Sequence, residues 1–371
     1  MKVLEKNIDK IASYDFSNKK VFGSAYFVYK KGKTLEKCYG TASLDKNVPI
    51  TNNSLFRLAS MTKPVTAFAT LILVERGKLA LDDTIDKYLP EFKTIKIIYP
   101  TGEEKAPKEI PTIKNLLTHT SGISGDNEKL KNMTTYDKAT LESSIAYYLK
   151  IGLDFEPNSK QAYSGISAFD VLTKIIEIVS GTDFLSFLKK EIFEPCKMYD
   201  TTFTPSEEQW TRLVDMHTRI DGENSSVAMP VGCVFSDIPC THFLGGAGLV
   251  SSLADYSKFA KMLLNKGKTE SGERLISEET FNLLCSPQVQ KEIMPWHTRW
   301  GLGVRVIVEN DHPHLPVRSF GWSGAYGSHF WIDPTNEIYA IFMKNSTVDG
   351  GSGNESAENF EKAVYSSLLE E

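Results

Sequence analysis

Strand-like and helix-like segments are segregated along this chain, and that segregation constrains its fold more than any single motif does. Near the start, "VFGSAYFVYK" and "TLEKCYGTAS" are β-prone runs that meet at Lys31-Gly32-Lys33, a tight-turn signal. Near the end, "GLGVRVIV" alternates with Leu302, Val304, Val306 and Val308 on one face, and "GSHFWID" and "EIYAIFMK" flank a second turn signal at Pro334-Thr335-Asn336. Between these ends, residues 61–76, 112–118, 137–150, 166–180, 183–192 and 252–266 carry apolar residues at helical spacing, punctuated by Gly and Pro. The pattern predicts an α+β fold, an α/β sandwich whose antiparallel sheet is built from both termini and flanked by helices, with a mainly helical domain inserted. Residues 1–58 and 242–371 are assigned to the sheet domain and 59–241 to the insert, with a cleft between them. Leu4, Ile8 and Ile11 predict a helix at the start, and Phe360, Ala363, Val364 and Leu368 predict another in the tail. The loop-rich stretch 205–246 has little periodicity and fits either a site rim or an ordinary connection.

The chain has 371 residues, 41% of them hydrophobic and 11% aromatic, enough to bury a large core. A net charge of −5, with both signs interspersed, offers no basic face for nucleic acid. The opening "MKVLEKNIDKIASY" interrupts its apolar positions with charges and lacks a leader-length apolar core. The longest apolar run, residues 65–74, reaches about half the ~20 residues that span a bilayer. These features predict a soluble, cytoplasmic protein with no membrane partner. The five cysteines (Cys38, Cys196, Cys233, Cys240, Cys285) are odd in number and scattered, which fits free thiols in a reducing compartment. His312-Pro313-His314 has no Cys, His or carboxylate cluster to complete a ligand set, so no metal is expected.

A serine three residues before a lysine can begin acyl-transfer chemistry, and the pattern S-x-x-K occurs here at Ser17, Ser43, Ser60 and Ser186. Ser17 and Ser43 lie in polar, turn-like surroundings whose lysines should stay protonated. Ser186 lies in "FLSFLKKEIF", where Phe184, Leu185 and Leu188 own the buried face and Lys189 faces water. Ser60 precedes a run that is apolar nearly all round, the mark of a buried helix. As an N-cap it would contribute about 1 kcal/mol and no chemistry. Lys63, however, sits in the first turn, where the helix dipole and desolvation both disfavour its charged form. A neutral amine on the same face as a serine hydroxyl is what an activated nucleophile needs. On the residues alone, cap and nucleophile both stand.

The stretches "RLASMTKPVTAFATLILVERGKLALDD", "TIKNLLTHTSGI", "YSGISAFDVLTKIIEIVSG", "EIFEPCKMYDTTF", "GGAGLVSSLADYSKFAKMLLNKGK" and "FGWSGAYGSHFWIDP" follow one another in order. Together they resemble the serine β-lactamase and penicillin-binding-protein superfamily, and more narrowly the class C β-lactamase-like (family VIII) carboxylesterases. The resemblance implies a serine hydrolase that works through an acyl-enzyme without a cofactor. Ser60 would be its nucleophile, Lys63 its general base and Tyr163 its proton-transfer partner. The backbone N–H groups of Ser60 and Ala325 would form the oxyanion hole, and Trp322-Ser323-Gly324 would take the place of the Lys-Thr-Gly or His-x-Gly strand motif. Two departures bear on the substrate. Gly165 replaces the asparagine of Y-x-N, and Trp322 replaces a lysine or histidine, which removes a charge-assisted contact worth about 1.5–3 kcal/mol. They imply short, uncharged carboxylic esters, with hydrolysis or acyl transfer both open. The alternatives are a β-lactamase or D-amino-acid peptidase on the same machinery, and a non-catalytic penicillin-binding-like protein. By the same resemblance His119 belongs to a structural turn rather than to a Ser-His-Asp triad, and no G-x-S-x-G elbow is present. The partner is thus a small ester or amide; oligomeric state is left open.

Overall fold

The computed structural model describes residues 1–45, 48–125, 129–130, 140–227 and 242–368, the side chain of the last excepted. Helix α1 (Lys2–Ser17) leads into strands β1 (Gly23–Lys30) and β2 (Lys33–Gly40). Their turn is two residues long, because Lys30 pairs with Lys33, and both Lys31 and Gly32 adopt positive φ, at 46° and 86°. That is the turn geometry whose twist matches a right-handed strand pair. The C-terminal strands β9 (Thr298–Trp300), β10 (Arg305–Ile307), β11 (Phe320–Ser323), β12 (His329–Asp333) and β13 (Ile338–Met343) form an antiparallel meander. β1 docks against β13, so one seven-stranded sheet is ordered β2-β1-β13-β12-β11-β10-β9. The fold is α+β, with its antiparallel sheet drawn from both termini.

Alternation along the strands gives each face a cover. α1 and the tail helix α8 (Glu355–Leu368) bury Leu4, Ile8, Phe360 and Val364 against Tyr26, Val28, Trp331 and Phe342. The opposite face carries Phe27, Phe330, Ile332 and Ile341 and merges with the helical part of the chain in one apolar cluster. Helix α2 (Thr62–Glu75) lies inside that cluster, with every residue from Thr62 to Leu73 buried. It packs against α5 (Ser167–Ser180) and α7 (Glu278–Cys285), while α6 (Leu253–Leu264) lies across the sheet. α3 (Ile113–Leu117) and α4 (Leu141–Ile151) also lie on the helical side, each opened by a threonine capping box at Thr112 and Thr140. Residues 137–139 of the helix expected at 137–150 lie outside the described residues.

Several local expectations are corrected. The run "GLGVRVIV" yields only the three-residue strand Arg305–Ile307, since Gly303 adopts φ +69° and bends the chain away before it. The segment 205–246 is not featureless: a short helix spans Glu207–Arg212, and β6 (Met216–Ile220) and β7 (Glu223–Val227) form a hairpin. Residues 228–241 of it lie outside the described set. Two further short pairs were not expected, β3 (Leu55–Arg57) with β8 (Val250–Ser252) and β4 (Ile97–Ile98) with β5 (Glu104–Lys105). Ser43 is buried rather than solvated, at 8% exposure; its lysine partner at 46 is outside the described residues. Among the described residues no helix is long and apolar enough to cross a membrane. Cys38, Cys196 and Cys285 are free thiols, whereas Cys233 and Cys240 fall outside the described set.

Candidate active site

Ser60 sits in a single 3-10 turn, Ala59–Met61, between β3 and α2. The turn is held from several sides. Leu58 N–H donates to Leu249 O at 2.9 Å, and Tyr256 O–H donates to Met61 O at 2.9 Å. Asn345 accepts from Arg57 N–H and donates back to Arg57 O, each at 3.0 Å. Ala59 is pressed into φ +45°, a conformation that L residues avoid and that clusters at functional sites. The N-cap of α2 is Met61, and no side chain caps the helix. Ser60 is therefore not a cap; its hydroxyl is aimed elsewhere.

It is aimed at the two residues the sequence singled out. Tyr163 O–H donates to Ser60 Oγ at 2.8 Å, and Lys63 Nζ lies 3.3 Å from the same oxygen. Lys63 is fully buried, and its amine reaches the carbonyls of Gly165 at 2.6 Å and Gly246 at 2.8 Å. Burial pushes the amine below the ordinary lysine range, against smaller opposing pulls from Tyr163 and the more distant Asp170. A neutral amine has two N–H donors and one lone pair. The two carbonyls take the donors, so the lone pair faces the Ser60 hydroxyl. Trp322 Nε1–H donates to Tyr163 Oη at 3.3 Å and Tyr163 O–H donates to Ser60 Oγ at 2.8 Å; with Lys63 in its neutral form, the lone pair of Nζ, 3.3 Å away, is the acceptor left for the Ser60 hydroxyl.

Tyr163 is not a core residue opening a helix. It is 37% exposed and precedes α5 by four residues. Its ring is held by Trp300, stacked at 6.0 Å, by His119 at 4.6 Å and by Trp322 at 5.5 Å. Gly125 is required behind it, because a Cβ there would lie 2.3 Å from the Tyr163 carbonyl oxygen. His119 takes no place beside Ser60. Its Nδ1 accepts the Ser164 N–H at 3.2 Å, and burial above all, reinforced by Lys63 whenever that amine is protonated, pushes the ring well below the ordinary imidazole range and keeps it neutral. It fixes the backbone next to Tyr163, as the structural reading expects. His312 is equally occupied, with Nδ1 accepting the N–H groups of His314 at 3.3 Å and Leu315 at 3.0 Å.

Ser60, Tyr163, Trp322, Ser323, Gly324 and Ala325 line one cavity of about 390 Å³. The end of β11 approaches the Ser60 turn so closely that a Cβ on Gly324 would lie 2.4 Å from Leu58 O and 2.3 Å from Ser328 Oγ. This contact carries Ala325 to the same cavity as Ser60, where two backbone N–H groups could face one oxyanion. Gly165 does not line the cavity; it acts through its carbonyl on Lys63, and the space where a side chain would stand is open, the nearest atom being 3.9 Å from a Cβ. The expected contrast with asparagine is therefore one of chemistry and not of room.

A family model described as Beta-lactamase matches residues 5–363. The chain belongs to the Beta-lactamase family. Protein Rv1367c of Mycobacterium tuberculosis (strain ATCC 25618 / H37Rv) is 28% identical over 350 residues, covering 86% of this chain and 85% of that protein. Esterase EstB of Burkholderia gladioli is 24% identical over 379 residues, covering 94% and 92%. Among solved structures, "EstCE1, a hydrolase with promiscuous acyltransferase activity" superposes with a TM-score of 0.84 at 23% identity, covering 98% of this chain and 99% of that one. The octameric penicillin-binding protein homologue from Pyrococcus abyssi superposes with a TM-score of 0.75 at 23% identity, covering 98% and 78%. This is a family of serine hydrolases with esterase and penicillin-binding-like members.

Sequence reasoning missed four residues of this Beta-lactamase-family site. Gly246 supplies a carbonyl to Lys63 and admits no side chain, since a Cβ would lie 2.9 Å from Gly165 O. Arg305 lines the cavity and places its guanidinium carbon 5.5 Å from the Trp322 ring centre. His329 and Glu361 stand behind Ser323: Ser323 Oγ lies 2.8 Å from His329 Nδ1, and His329 Nε2 lies 3.0 Å from Glu361 Oε1. Nothing in their spacing announces these contacts; they arise from strand register and from where α8 lands on the sheet.

Proposed function

We propose that this chain hydrolyses short carboxylic esters through a covalent acyl-Ser60 intermediate. The observation that supports it most is the convergence of a buried lysine and a tyrosine hydroxyl on one serine oxygen. Ser60 Oγ attacks the ester carbonyl while its proton passes to the Lys63 lone pair. The carbonyl oxygen becomes an oxyanion and is met by the backbone N–H groups of Ser60 and Ala325. Collapse of the tetrahedral intermediate breaks the C–O bond, and Tyr163 delivers the proton to the departing alcohol, being reprotonated from Lys63. Water, or a second alcohol, then attacks the acyl carbonyl, gives up its proton along the same path and frees Ser60. Positioned proton transfer contributes about 10²–10⁴-fold. Each oxyanion donor contributes about 10²–10³-fold.

The relative named Esterase EstB supports the ester reading. The relative named Penicillin-binding protein 4, from Amycolatopsis lactamdurans at 26% identity, keeps a β-lactam or D-amino-acid peptide as the alternative. Trp322 supports the ester, because an indole offers apolar area and one N–H where a cation would meet a carboxylate. Trp322 does not by itself decide whether the ester is uncharged, since Arg305 lines the same cavity. A reducing, cytoplasmic setting fits the scattered cysteines and belongs to the same proposal. The test is Ser60→Ala with p-nitrophenyl acetate and butyrate, read alongside the acyl adduct by intact-protein mass spectrometry. Acylation and adduct should both vanish; retained turnover would remove the reading. Nitrocefin hydrolysed faster than the esters would move the substrate class to β-lactams.

A further inference from the structure

The turn between β11 and β12, which carries Ala325 to the cavity, leans on a buried ion pair. Lys344, the first residue after β13, is fully buried; its Nζ lies 2.8 Å from Asp349 Oδ2 and 3.1 Å from Ser356 Oγ. The Asp349 carboxylate also accepts the Glu355 N–H at 3.0 Å, the Ser356 N–H at 3.2 Å and the Ser356 O–H at 2.6 Å, so it satisfies the start of α8. Two contacts join this pair to the turn. Gly327, at φ +91°, lies so close to it that a Cβ would stand 2.1 Å from Lys344 Cε and 2.7 Å from Asp349 O. Beyond Asp349 the chain folds against Ala325: Gly351 N–H donates to Ala325 O at 3.1 Å, and a Cβ on Gly350 would lie 2.3 Å from the same oxygen. Gly351 and Ser352 then line the cavity together with Ala325. The Ala325 N–H itself donates to no described residue, which leaves it free for an oxyanion.

We propose that Lys344 and Asp349 are positioning residues for catalysis: through Gly327 on one side and Gly350-Gly351 on the other, they fix the direction of the Ala325 N–H. The proposal rests on the acyl-Ser60 reading and on Ala325 as an oxyanion donor. A buried ion pair is a weak source of stability, since an apolar pair of similar size is often as good or better. What it supplies here is geometry, because the pair ties the end of β13, the loop 349–351 and the start of α8 to one turn. An oxyanion donor acts only if it is already aimed when the charge develops, and a displacement of about 1 Å can cost about 10²-fold. Neither Lys344 nor Asp349 lines the cavity. Their effect therefore falls on the transition state and not on ground-state binding.

The test separates positioning from stability by reading kcat and KM on p-nitrophenyl butyrate beside the melting temperature. Asp349→Asn keeps an acceptor for the start of α8 but removes the ion pair; kcat should fall ~10–100-fold with KM changed by less than ~3-fold. Lys344→Met/Asp349→Asn leaves no unpaired buried charge. Its melting temperature should recover most of what Asp349→Asn loses, while kcat stays at least ~10-fold below the wild type. If the single variant does not fold, the double variant carries the comparison. A kcat unchanged in Asp349→Asn, or restored with the melting temperature in the double variant, would overturn the proposal. 2,2,2-Trifluoroacetophenone reads the same effect without turnover: its carbonyl carbon bonds to Ser60 Oγ, the serine proton passes to Lys63, and the carbonyl oxygen becomes an oxyanion. Its Ki should rise ~10–100-fold in the double variant, while that of the matched alcohol, 1-phenyl-2,2,2-trifluoroethanol, holds. Equal shifts for ketone and alcohol, or none for the ketone, would refute positioning. Ser60→Ala should lose both turnover and the preference for the ketone; keeping them would remove the acyl-Ser60 reading, an outcome distinct from an idle ion pair.

Discussion

Removing one oxygen atom from Tyr163 tests the proton path directly. Tyr163→Phe deletes the hydroxyl that donates to Ser60 Oγ at 2.8 Å and accepts from Trp322 Nε1 at 3.3 Å. The ring keeps its packing on Trp300, His119 and Trp322. At 37% exposure the site can be rehydrated, so the stability change should stay near the ~1 kcal/mol of one hydrogen bond. Catalysis should lose what a positioned acid contributes, about 10²–10⁴-fold. At ~1.36 kcal/mol per tenfold, that is about 2.7–5.4 kcal/mol of barrier. The assay is kcat/KM on ethyl butyrate and p-nitrophenyl butyrate, which share an acyl-enzyme and differ in the leaving group. Because kcat/KM reports only steps through acylation, their common deacylation drops out. Ethoxide needs a proton to depart and p-nitrophenolate does not, so the loss should be far larger for ethyl butyrate. A loss below tenfold on ethyl butyrate, or equal losses on both, would refute Tyr163 as the donor to the leaving group.

Lys63 must be neutral to act, so kcat/KM should fall as pH drops through the folded-state value of its amine, which burial places below the ordinary lysine range; Lys63→Arg, charged at every pH, should be inactive throughout. Gly324→Ala should lower both melting temperature and kcat, because its Cβ would lie 2.4 Å from Leu58 O and must push β11 off the Ser60 turn. Asp349→Asn should cost about 3 kcal/mol in urea unfolding, since it leaves the fully buried Lys344, 2.8 Å away, without its carboxylate. The Asp349 carboxyl is held down to about 2, against about 3.9 when unfolded. Its contribution is therefore present above pH ~4 and is lost as pH falls toward 2, where the wild-type and Asp349→Asn midpoints should converge.

Much of the architecture is legible in local pattern. The hairpin at Lys31-Gly32, the helices over 2–17 and 355–368, and the meander through Pro334 all follow from periodicity and turn chemistry. The hairpin at 216–227 carries a signal of the same kind that low periodicity masked: Asp221-Gly222 has the φ values of 51° and 81° that such a pair of turn residues favours. The pairing of β1 with β13 is foreshadowed only as a sheet shared by both ends. Its register, Ala25 against Met343, is set by packing on both faces and has no local signal.

The site divides in the same way. Ser60 and Lys63 are neighbours because three residues of helical turn make them so, and a lysine at the head of an apolar helix announces an unusual amine through local pattern alone. Which of cap or nucleophile Ser60 becomes is decided elsewhere: Gly165 and Gly246 must bring two carbonyls to the amine, and Tyr163 must arrive from a loop before α5. Arg305 reaches the cavity from β10, and His329 of β12 and Glu361 of α8 stand behind Ser323. Short-range sequence can specify a periodicity and a reactive residue type. The charge and direction of a hydrogen bond at that residue depend on desolvation and on partners a hundred residues away, and only the closed fold supplies those.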